Sequence, residues 1–233
     1  QVGRGSFAEP FALFGYDLAD YVVLFDEKLD LLARLRAEQP VTWRGRTRAP
    51  LSGQRAYPST ERGSIPVWVG VGGTTESVVR TARYGLPMML AILSGPAERF
   101  RTFVDMFHAA SRTQGTGDRL AVGVHSPGFV ADTDELAREQ MYTHLAADDE
   151  RIGAVTGLGE LTRDQFDAEA DAGSLYVGAP ETVARRIADT VRALGVDRFD
   201  LKYANGPQPH GQLMRAVELF GTVVAPRVRE LLA

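Results

Sequence analysis

The chain has 233 residues, 44% of them hydrophobic, and a net charge of −4, which suits one large domain without a basic field for nucleic acid or membrane surfaces. The absence of cysteine excludes disulfides, thiolate metal sites and a cysteine nucleophile. Only four histidines are present, none with the H-x-x-x-H spacing of a helical site, and we therefore expect no bound metal.

A short glycine-containing segment precedes the first predicted helix. The opening QVGRGSF reads as the end of a strand that runs into a glycine loop. Apolar residues then recur at three- and four-residue spacing over 17–37, which predicts an amphipathic helix. Residues 41–64 are rich in Arg, Gly, Pro and Ser, and we interpret them as a surface insertion with hairpin strands at 41–43 and 54–57.

The stretch 65–85, IPVWVGVGGTTESVVRTARYG, carries the strongest local signal. A β-branched run stops at Gly72-Gly73, and an amphipathic helix follows. A strand, a glycine turn and a helix N-terminus in this order present backbone N–H groups to an anion. The hydroxyl residues that can add donors or cap the helix are Thr74, Thr75 and Ser77. The pattern predicts a phosphate site, although an ordinary βα turn with a good cap has the same sequence features.

Strands and helices alternate through the rest of the chain. The wholly apolar run at 87–93 predicts a parallel strand buried on both faces, and Ser94 with Pro96 predicts the cap and first turn of a helix to about residue 113. Further strands are predicted at 120–130, with an interruption at Pro127-Gly128, at 174–177 and at 198–203. Further helices are predicted at 132–149, 162–169, 180–194 and 210–232.

This alternation predicts a parallel sheet, either doubly wound or closed as a (β/α)₈ barrel. The segment from Gly70 to Gly73 partly imitates G-x-G-x-x-G, but the next strand end at 91–95 lacks an acidic residue for ribose hydroxyls. No G-K-[ST] triplet occurs either. What remains is a monophosphate-type site on a βα turn, which fits a barrel that holds a mononucleotide such as FMN.

Several segments resemble the bacterial luciferase-like flavin monooxygenases, and they follow one another in that family's order. They are VGRGSF at 2–7, the helix at 16–35, IPVWVGVGGTTESVVRTARYGLPMMLAI at 65–92, VGVHSPGFVADT at 122–133, LYVGAPETVARRI at 175–187 and VELFGTVVAPRVR at 217–229. The resemblance covers nearly the whole chain. It implies an α/β fold of the (β/α)₈ TIM-barrel type, with the active site at the carboxyl ends of the strands.

The resemblance also implies that the barrel is incomplete. In family order VGRGSF belongs at the end of the fourth strand, so three βα units of roughly 30 residues each would precede Gln1. We therefore expect residues 1–233 to form a single partial TIM-barrel domain of about five C-terminal βα units, with 41–64 as an insertion. Such a chain would be a piece of a full barrel or a truncation that a partner stabilises, because unpaired strand edges are unfavourable.

The resemblance assigns candidate flavin-binding residues to three strand ends. Those expected at or beside the flavin phosphate are Gly72, Gly73, Thr74, Thr75, Ser77, Ser94 and Gly95. Those expected to line the flavin ring or the adjacent mouth are Gly3, Arg4 and Gly5. Glycines allow a planar ring or a phosphate to approach the backbone closely. Plain strand-end loops would have the same composition.

Charged and titratable side chains occur on two later strands. His125 precedes a Pro-Gly pair at a strand end, where it is a candidate catalytic residue for proton transfer, although a core or loop-bonded histidine is the simpler interpretation. Asp200 and Lys202 share one face of the strand at 198–203. We favour a structural role in which they face the helical shell and form a strand–helix salt bridge. The alternative is that they point inward, with Lys202 as an anion-binding residue at the barrel mouth.

The resemblance implies a flavin-dependent oxidoreductase of the monooxygenase type that oxidises a small organic substrate with reduced FMN and oxygen. A deazaflavin-dependent dehydrogenase on the same barrel remains open, as does a catalytically silent barrel that acts as an assembly or interaction module. We expect a cytoplasmic homo-oligomer, with a separate flavin reductase as a possible partner and neither nucleic acid nor membrane as one. No apolar run reaches about 18 residues, and the first residues given show no signal-peptide pattern.

Overall fold

The computed structural model describes residues 1–5, 7–61, 63–156 and 161–233, with only the backbone described over 149–156. Ser6 of the predicted glycine loop, Arg62 of the insertion and residues 157–160 of the segment before the 162–169 helix lie outside the described residues. Within the described residues, no helix combines the length and the apolar character needed to cross a membrane.

Helices and strands alternate along the chain. The first half contains α1 (Glu9–Leu13), α2 (Tyr21–Leu35), β1 (Val41–Trp43), β2 (Leu51–Gln54), β3 (Val69–Val71), α3 (Thr75–Arg83), β4 (Met88–Ala91) and α4 (Arg101–Gln114). The second half contains β5 (Val122–Val130), α5 (Asp134–Thr156), α6 (Arg163–Ala172), β6 (Tyr176–Gly178), α7 (Pro180–Leu194), β7 (Arg198–Lys202), α8 (His210–Leu219) and α9 (Ala225–Leu232). A π-helical turn joins α8 to α9, so the predicted last helix is continuous but locally wider.

The parallel sheet follows the order of consecutive barrel strands. Val2 makes a parallel bridge to Val69 of β3, and β3 pairs with β4, β4 with β5, and β5 with β7. Helices connect these strands, as parallel pairing requires. Within the described residues Val2 and β7 have no partner on their outer sides, so the sheet is an open part of a barrel.

Strand β5 exchanges neighbours along its length. Its first residues pair with β4 and β7, and its last three, starting at Gly128, pair with β6. The predicted interruption at Pro127-Gly128 is therefore wrong. The strand continues because Gly128 lets β6 approach, since a Cβ atom there would overlap the Tyr176 carbonyl and the Leu201 side chain.

The two faces of the strands have different roles. Alternate residues such as Leu90 and Val124 are fully buried with Val78, Phe107 and other side chains of the covering helices. The residues between them point to the concave face. Pairing of Ala91 with His125, and of His125 with Asp200, places these three side chains at one level of that face.

Two local predictions differ from the structure. Ser94 does not cap a helix, because the turn before α4 starts after Pro96 and has no side-chain cap. In the 41–64 segment the second hairpin strand is Leu51–Gln54, not 54–57. This register pairs Leu51 with Trp43, and both side chains pack together with Leu31 of α2. Packing against α2 therefore determines which residues form the second strand, and the local sequence at 54–57 does not reveal this packing.

Candidate functional site

A cavity of about 270 Å³ lies where the N-terminal loop meets the carboxyl end of β3 and the first turns of α3. Its polar and glycine lining consists of Gly3, Arg4, Gly5, Tyr21, Gly70, Gly72, Ser77 and Arg80. Phe25 and Leu93 are among its apolar lining residues. The structure thus brings two separate candidate segments together, at the face where barrels carry their active sites.

The start of α3 is organised by its own hydroxyl groups. Thr74 has extended backbone angles and caps the helix, since its side chain accepts a bond from the Ser77 backbone N–H at 3.4 Å and donates to the Ser77 hydroxyl at 2.9 Å. Ser77 is buried and lines the cavity, whereas Thr74 and Thr75 are not part of its lining. Of the three hydroxyl candidates, the structure places Ser77 at the cavity.

Gly72 and Gly73 have different roles. Gly73 has a φ of +85°, and a Cβ atom there would lie 3.5 to 3.7 Å from ring atoms of Phe100 and Phe103. It makes the left-handed turn and faces the aromatic side chains around the start of α4. Gly72 lines the cavity, and a Cβ atom there would meet nothing within 4 Å. The open space at Gly72 is therefore available to a ligand.

Arg4 and Gly5 are held in place by α2. The Arg4 guanidinium lies 4.9 Å from the centre of the Tyr21 ring, and the Tyr21 hydroxyl donates to the Gly5 carbonyl at 2.7 Å. These contacts fix the N-terminal loop against the helix that follows it. They leave the Arg4 charge without an ion-pair partner among the described residues.

Arg80 lines the cavity but was not among the predicted site residues. It lies on α3 three residues after Ser77, which places both side chains on one helix face, and this spacing was the signal that could have found it. Its side chain is only 13% exposed and forms a 2.5 Å ion pair with Asp26 of α2. Its guanidinium also lies 5.7 Å from the centre of the Phe25 ring. Arg80 therefore adds a second guanidinium to the cavity.

The loop after β4 is occupied differently from the prediction. Ser94 and Gly95 are absent from the cavity lining. The Gly95 backbone N–H donates to the carboxylate of Glu169 on α6, at 3.0 and 3.1 Å. Because the chain itself supplies an anion to this N–H group, Gly95 is a poor candidate for phosphate binding.

His125 lies on the same concave face but at a different cavity, of about 560 Å³, which Gln1, Asp200 and Tyr203 also line. Its side chain is half-buried. Burial lowers the pKa of His125 below its usual 6.5, Asp200 opposes this and Lys202 adds to it. A neutral imidazole at this position is able to accept a proton.

The predicted strand–helix salt bridge is wrong for Asp200, which pairs with a residue of its own strand. Asp200 instead pairs with Arg198 at 2.6 Å and accepts a bond from the Gln1 side chain at 2.7 Å, and the Arg198 guanidinium lies 5.2 Å from the Trp68 ring centre. Since Arg198 precedes Asp200 by two residues, both face the concave side of the sheet. Lys202 is exposed at the end of β7.

The chemistry of the first cavity fits a phosphate monoester. Arg4, Arg80 and the buried Ser77, the third residue of α3, line a space that Gly72 leaves open, and among the described residues no carboxylate belongs to this lining. Such a donor set favours an anion of about two negative charges, which a phosphate monoester carries near pH 7.

Comparison with known proteins identifies a related family. Residues 1–198 match the model of a family described as luciferase-like monooxygenase. Among curated proteins, none matches the chain significantly.

Three solved structures illustrate the shared fold. Monooxygenase RslO1 from Streptomyces bottropensis is 23% identical, with a TM-score of 0.74 over 96% of this chain and 67% of its own. The oxygenating constituent of 3,6-diketocamphane monooxygenase from the CAM plasmid of Pseudomonas putida, in complex with FMN, is 16% identical, with a TM-score of 0.65 over 97% and 70% of the two chains. An F420-dependent secondary alcohol dehydrogenase in complex with an F420-acetone adduct is 16% identical, with a TM-score of 0.71 over 98% and 68%.

At these identities the likeness shows the fold alone. The chain spans about two thirds of the length of each of these proteins. Together with the open parallel sheet, the matches confirm the predicted incomplete (β/α)₈ barrel.

Proposed function

The chain belongs to the luciferase-like monooxygenase family, and we propose that it acts as a flavin-dependent oxidoreductase. The enzyme would oxidise a small organic substrate with reduced FMN and oxygen. One observation carries the proposal to this chain's own residues. It is the cavity that Arg4 and Arg80 line together with Ser77 at the start of α3. Its donor set suits the phosphate of a mononucleotide, and its glycines leave room for one.

The residues of the chain would bind and orient the cofactor. Arg4, Arg80 and the first turn of α3 would hold the phosphate, while the loop from Gly3 to Gly5 would let a flat ring approach the backbone. Reduced flavin supplies the electrons for oxygen activation, and the protein supplies binding, orientation and exclusion of water. His125, which lies at the neighbouring cavity, would accept a proton from the substrate because burial keeps its imidazole neutral.

A deazaflavin-dependent dehydrogenase is the second candidate function. The fold similarity to the F420-dependent secondary alcohol dehydrogenase supports it, with a TM-score as high as 0.71. The positive charge of the cavity favours FMN over a deazaflavin cofactor whose phosphate is a diester. A phosphate monoester such as that of FMN carries more negative charge than a diester does. Titration of the chain with coenzyme F420 and with FMN, side by side, distinguishes the two candidates.

The test of the proposed function is a comparison of FMN with riboflavin. Both carry the same ring system, so the ratio of their dissociation constants isolates the phosphate contribution. Charge-assisted hydrogen bonds from two guanidinium groups should make FMN bind at least about tenfold more tightly. Flavin fluorescence follows both titrations. Equal affinities would remove the phosphate site, and binding of neither flavin nor coenzyme F420 would favour a catalytically silent assembly module.

A further inference from the structure

Asp26 and Arg80 form an ion pair across two helices, and only one of them lines the cavity. The Asp26 carboxylate on α2 lies 2.5 Å from Nε of Arg80 on α3. The Arg80 side chain is 13% exposed and lines the cavity, whereas the Asp26 side chain is 41% exposed and does not. The guanidinium therefore has the cavity on one side and its counter-ion on another.

Each member of this pair depends on the other for charge compensation. Among the described residues, Asp26 is the one ion-pair partner of Arg80, and the Arg80 guanidinium donates no hydrogen bond to the rest of the described chain. Oδ1 of Asp26 is buried and accepts no hydrogen bond there. Nε lies close to Oδ1 of Asp26, and the two amino groups of the guanidinium donate to no other described residue, so they remain available for a ligand.

We propose that Asp26 is a built-in counter-ion which competes with the bound phosphate for Arg80, and that it thereby weakens phosphate binding at this cavity. The inference rests on the proposed flavin phosphate site. Without a ligand, Asp26 compensates a guanidinium that is largely removed from water, which would otherwise be costly. With a phosphate in the cavity, the same carboxylate repels a second anion on the same cation.

The direction of the effect separates this role from a simple positioning role. Removal of the Asp26 charge destabilises the ligand-free protein and relieves repulsion in the complex, so both consequences favour the bound state. Were Asp26 needed only to orient Arg80, its loss would weaken binding instead. The Phe25 ring, 5.7 Å from the guanidinium, and the low exposure of Arg80 keep this side chain at the cavity without Asp26.

The test is FMN and riboflavin titration of Asp26→Asn. We expect FMN to bind about tenfold more tightly than to the wild-type chain, riboflavin to change by less than about twofold, and Tm without ligand to fall. Asp26→Glu keeps the charge and should restore both the wild-type affinity and Tm. Arg80→Met should weaken FMN binding about tenfold and leave riboflavin unchanged.

Asp30→Asn is the matched control. Asp30 lies one turn further along α2 and outside the cavity lining, where it pairs with Arg34 at 3.0 Å and accepts a bond from the Trp43 indole at 2.9 Å. Its substitution removes the same charge from the same helix, and FMN affinity should change by less than about twofold. If Asp30→Asn tightened FMN binding to the same extent, the proposal would be overturned, because the change in net charge alone would then explain the effect.

Inorganic phosphate separates this inference from the proposed function. At constant ionic strength, phosphate should raise the Tm of Asp26→Asn by more than that of the wild-type chain. A chain that phosphate stabilises in this way but that binds no FMN contradicts the proposed function alone. An Asp26→Asn variant that binds FMN or phosphate more weakly than wild type, or equally, overturns the inference. A chain that responds to neither ligand overturns both.

Discussion

The backbone N–H of Gly95 donates to both carboxylate oxygens of Glu169, at 3.0 and 3.1 Å, although 74 positions separate the two residues. Ser174 donates to the same carboxylate through its backbone N–H at 2.7 Å and its hydroxyl at 3.1 Å. Helix α6 therefore carries an anion that joins the loop after β4 to the start of β6. An anion does lie at Gly95, as a phosphate would, but it belongs to the chain.

Glu169→Gln should lower the stability of the protein by about 1 to 2 kcal/mol and leave its FMN affinity unchanged within about twofold. The amide offers one neutral oxygen in place of a carboxylate that accepts from three donors. Urea unfolding and FMN titration measure the two effects. Glu139→Gln is the control, because Glu139 is 69% exposed and pairs with Arg163 at the surface, where loss of a pair changes little.

Tighter FMN binding by Glu169→Gln would have a different meaning. It would show that the N–H of Gly95 becomes available to the phosphate once the carboxylate is gone. Gly95 would then return to the set of cofactor-binding residues that the family resemblance implies.

Gly72→Asp should weaken FMN binding by about tenfold or more, because it places a carboxylate in the cavity beside Arg4 and Arg80. Gly72→Asn has nearly the same size without the charge and is the control. Gly72 does not have a positive φ, and its Cβ would meet no atom within 4 Å, so both variants should fold. Equal FMN affinities for Asp and Asn at this position would place the phosphate elsewhere. Gly73 is less suitable, since its φ of +85° makes any side chain strained.

Arg186→Met should destabilise the protein by about 2 to 4 kcal/mol, measured by urea unfolding. The half-buried guanidinium donates to the carbonyls of Ala170, Gly173 and Leu175, with distances of 3.0 Å to Gly173 and 2.6 Å to Leu175. It thus satisfies the carboxyl end of α6, and methionine leaves these acceptors without a donor. Burial lowers the pKa of Arg186, in keeping with its removal from water.

The neighbouring arginine is a direct control for this prediction. Arg185 lies on the exposed side of α7, with 60% of its side chain accessible and an i,i+4 ion pair to Glu181. Arg185→Met should leave the unfolding midpoint close to the wild-type value. Similar losses in both variants would mean that the hydrogen bonds of Arg186 do not stabilise the end of α6.

Sequence patterns located the elements whose limits are set locally. The predicted helix at 180–194 has the observed bounds of α7, because Pro180 suits the first turn and Gly195 ends it with a φ of 63°. The start of α6 has a comparable basis in the capping box of Thr162 with Gln165, one residue before the helix begins. In each case the deciding atoms lie within about one turn of each other.

Contacts between distant segments could not be read in this way. The pairing of Asp26 with Arg80 depends on how α2 lies against α3, and the bond from Gly95 to Glu169 depends on where α6 docks. Neither contact has a local pattern, because residue types specify which partners are chemically suitable but not which of them meet. The strand ends that form the candidate site were therefore predictable from the sequence. The presence of Arg80 in the cavity and the bond from the Gly95 N–H to the Glu169 carboxylate were not.

The stability of the protein should fall at mildly acidic pH because two histidines, His125 and His108, lie where a positive charge is unfavourable. Burial is the main cause that lowers the pKa of His125 and of His108 below the usual 6.5. Just below pH 6.5 the unfolded chain therefore binds protons at these histidines that the folded chain does not. The stability that the neutral histidines contribute is complete above pH 6.5, and it is lost as the pH falls from 6.5 towards their lowered pKa values in the folded protein. Carboxyl groups with a lowered pKa, such as Glu27 and Glu38, change the stability only when the pH falls below their usual pKa of 4.5.

Between pH 6.5 and about 5, the fall in Tm should therefore come mainly from His125 and His108. His125→Gln should reduce the slope of Tm against pH in this window, and His125→Gln with His108→Gln should nearly abolish it. Calorimetry over this range makes the measurement, with the wild-type chain at each pH as the reference. An unchanged slope in the double variant would mean that other groups titrate there. The neutral imidazole assigned to His125 would then lose its thermodynamic support, and with it the proposed role in proton transfer.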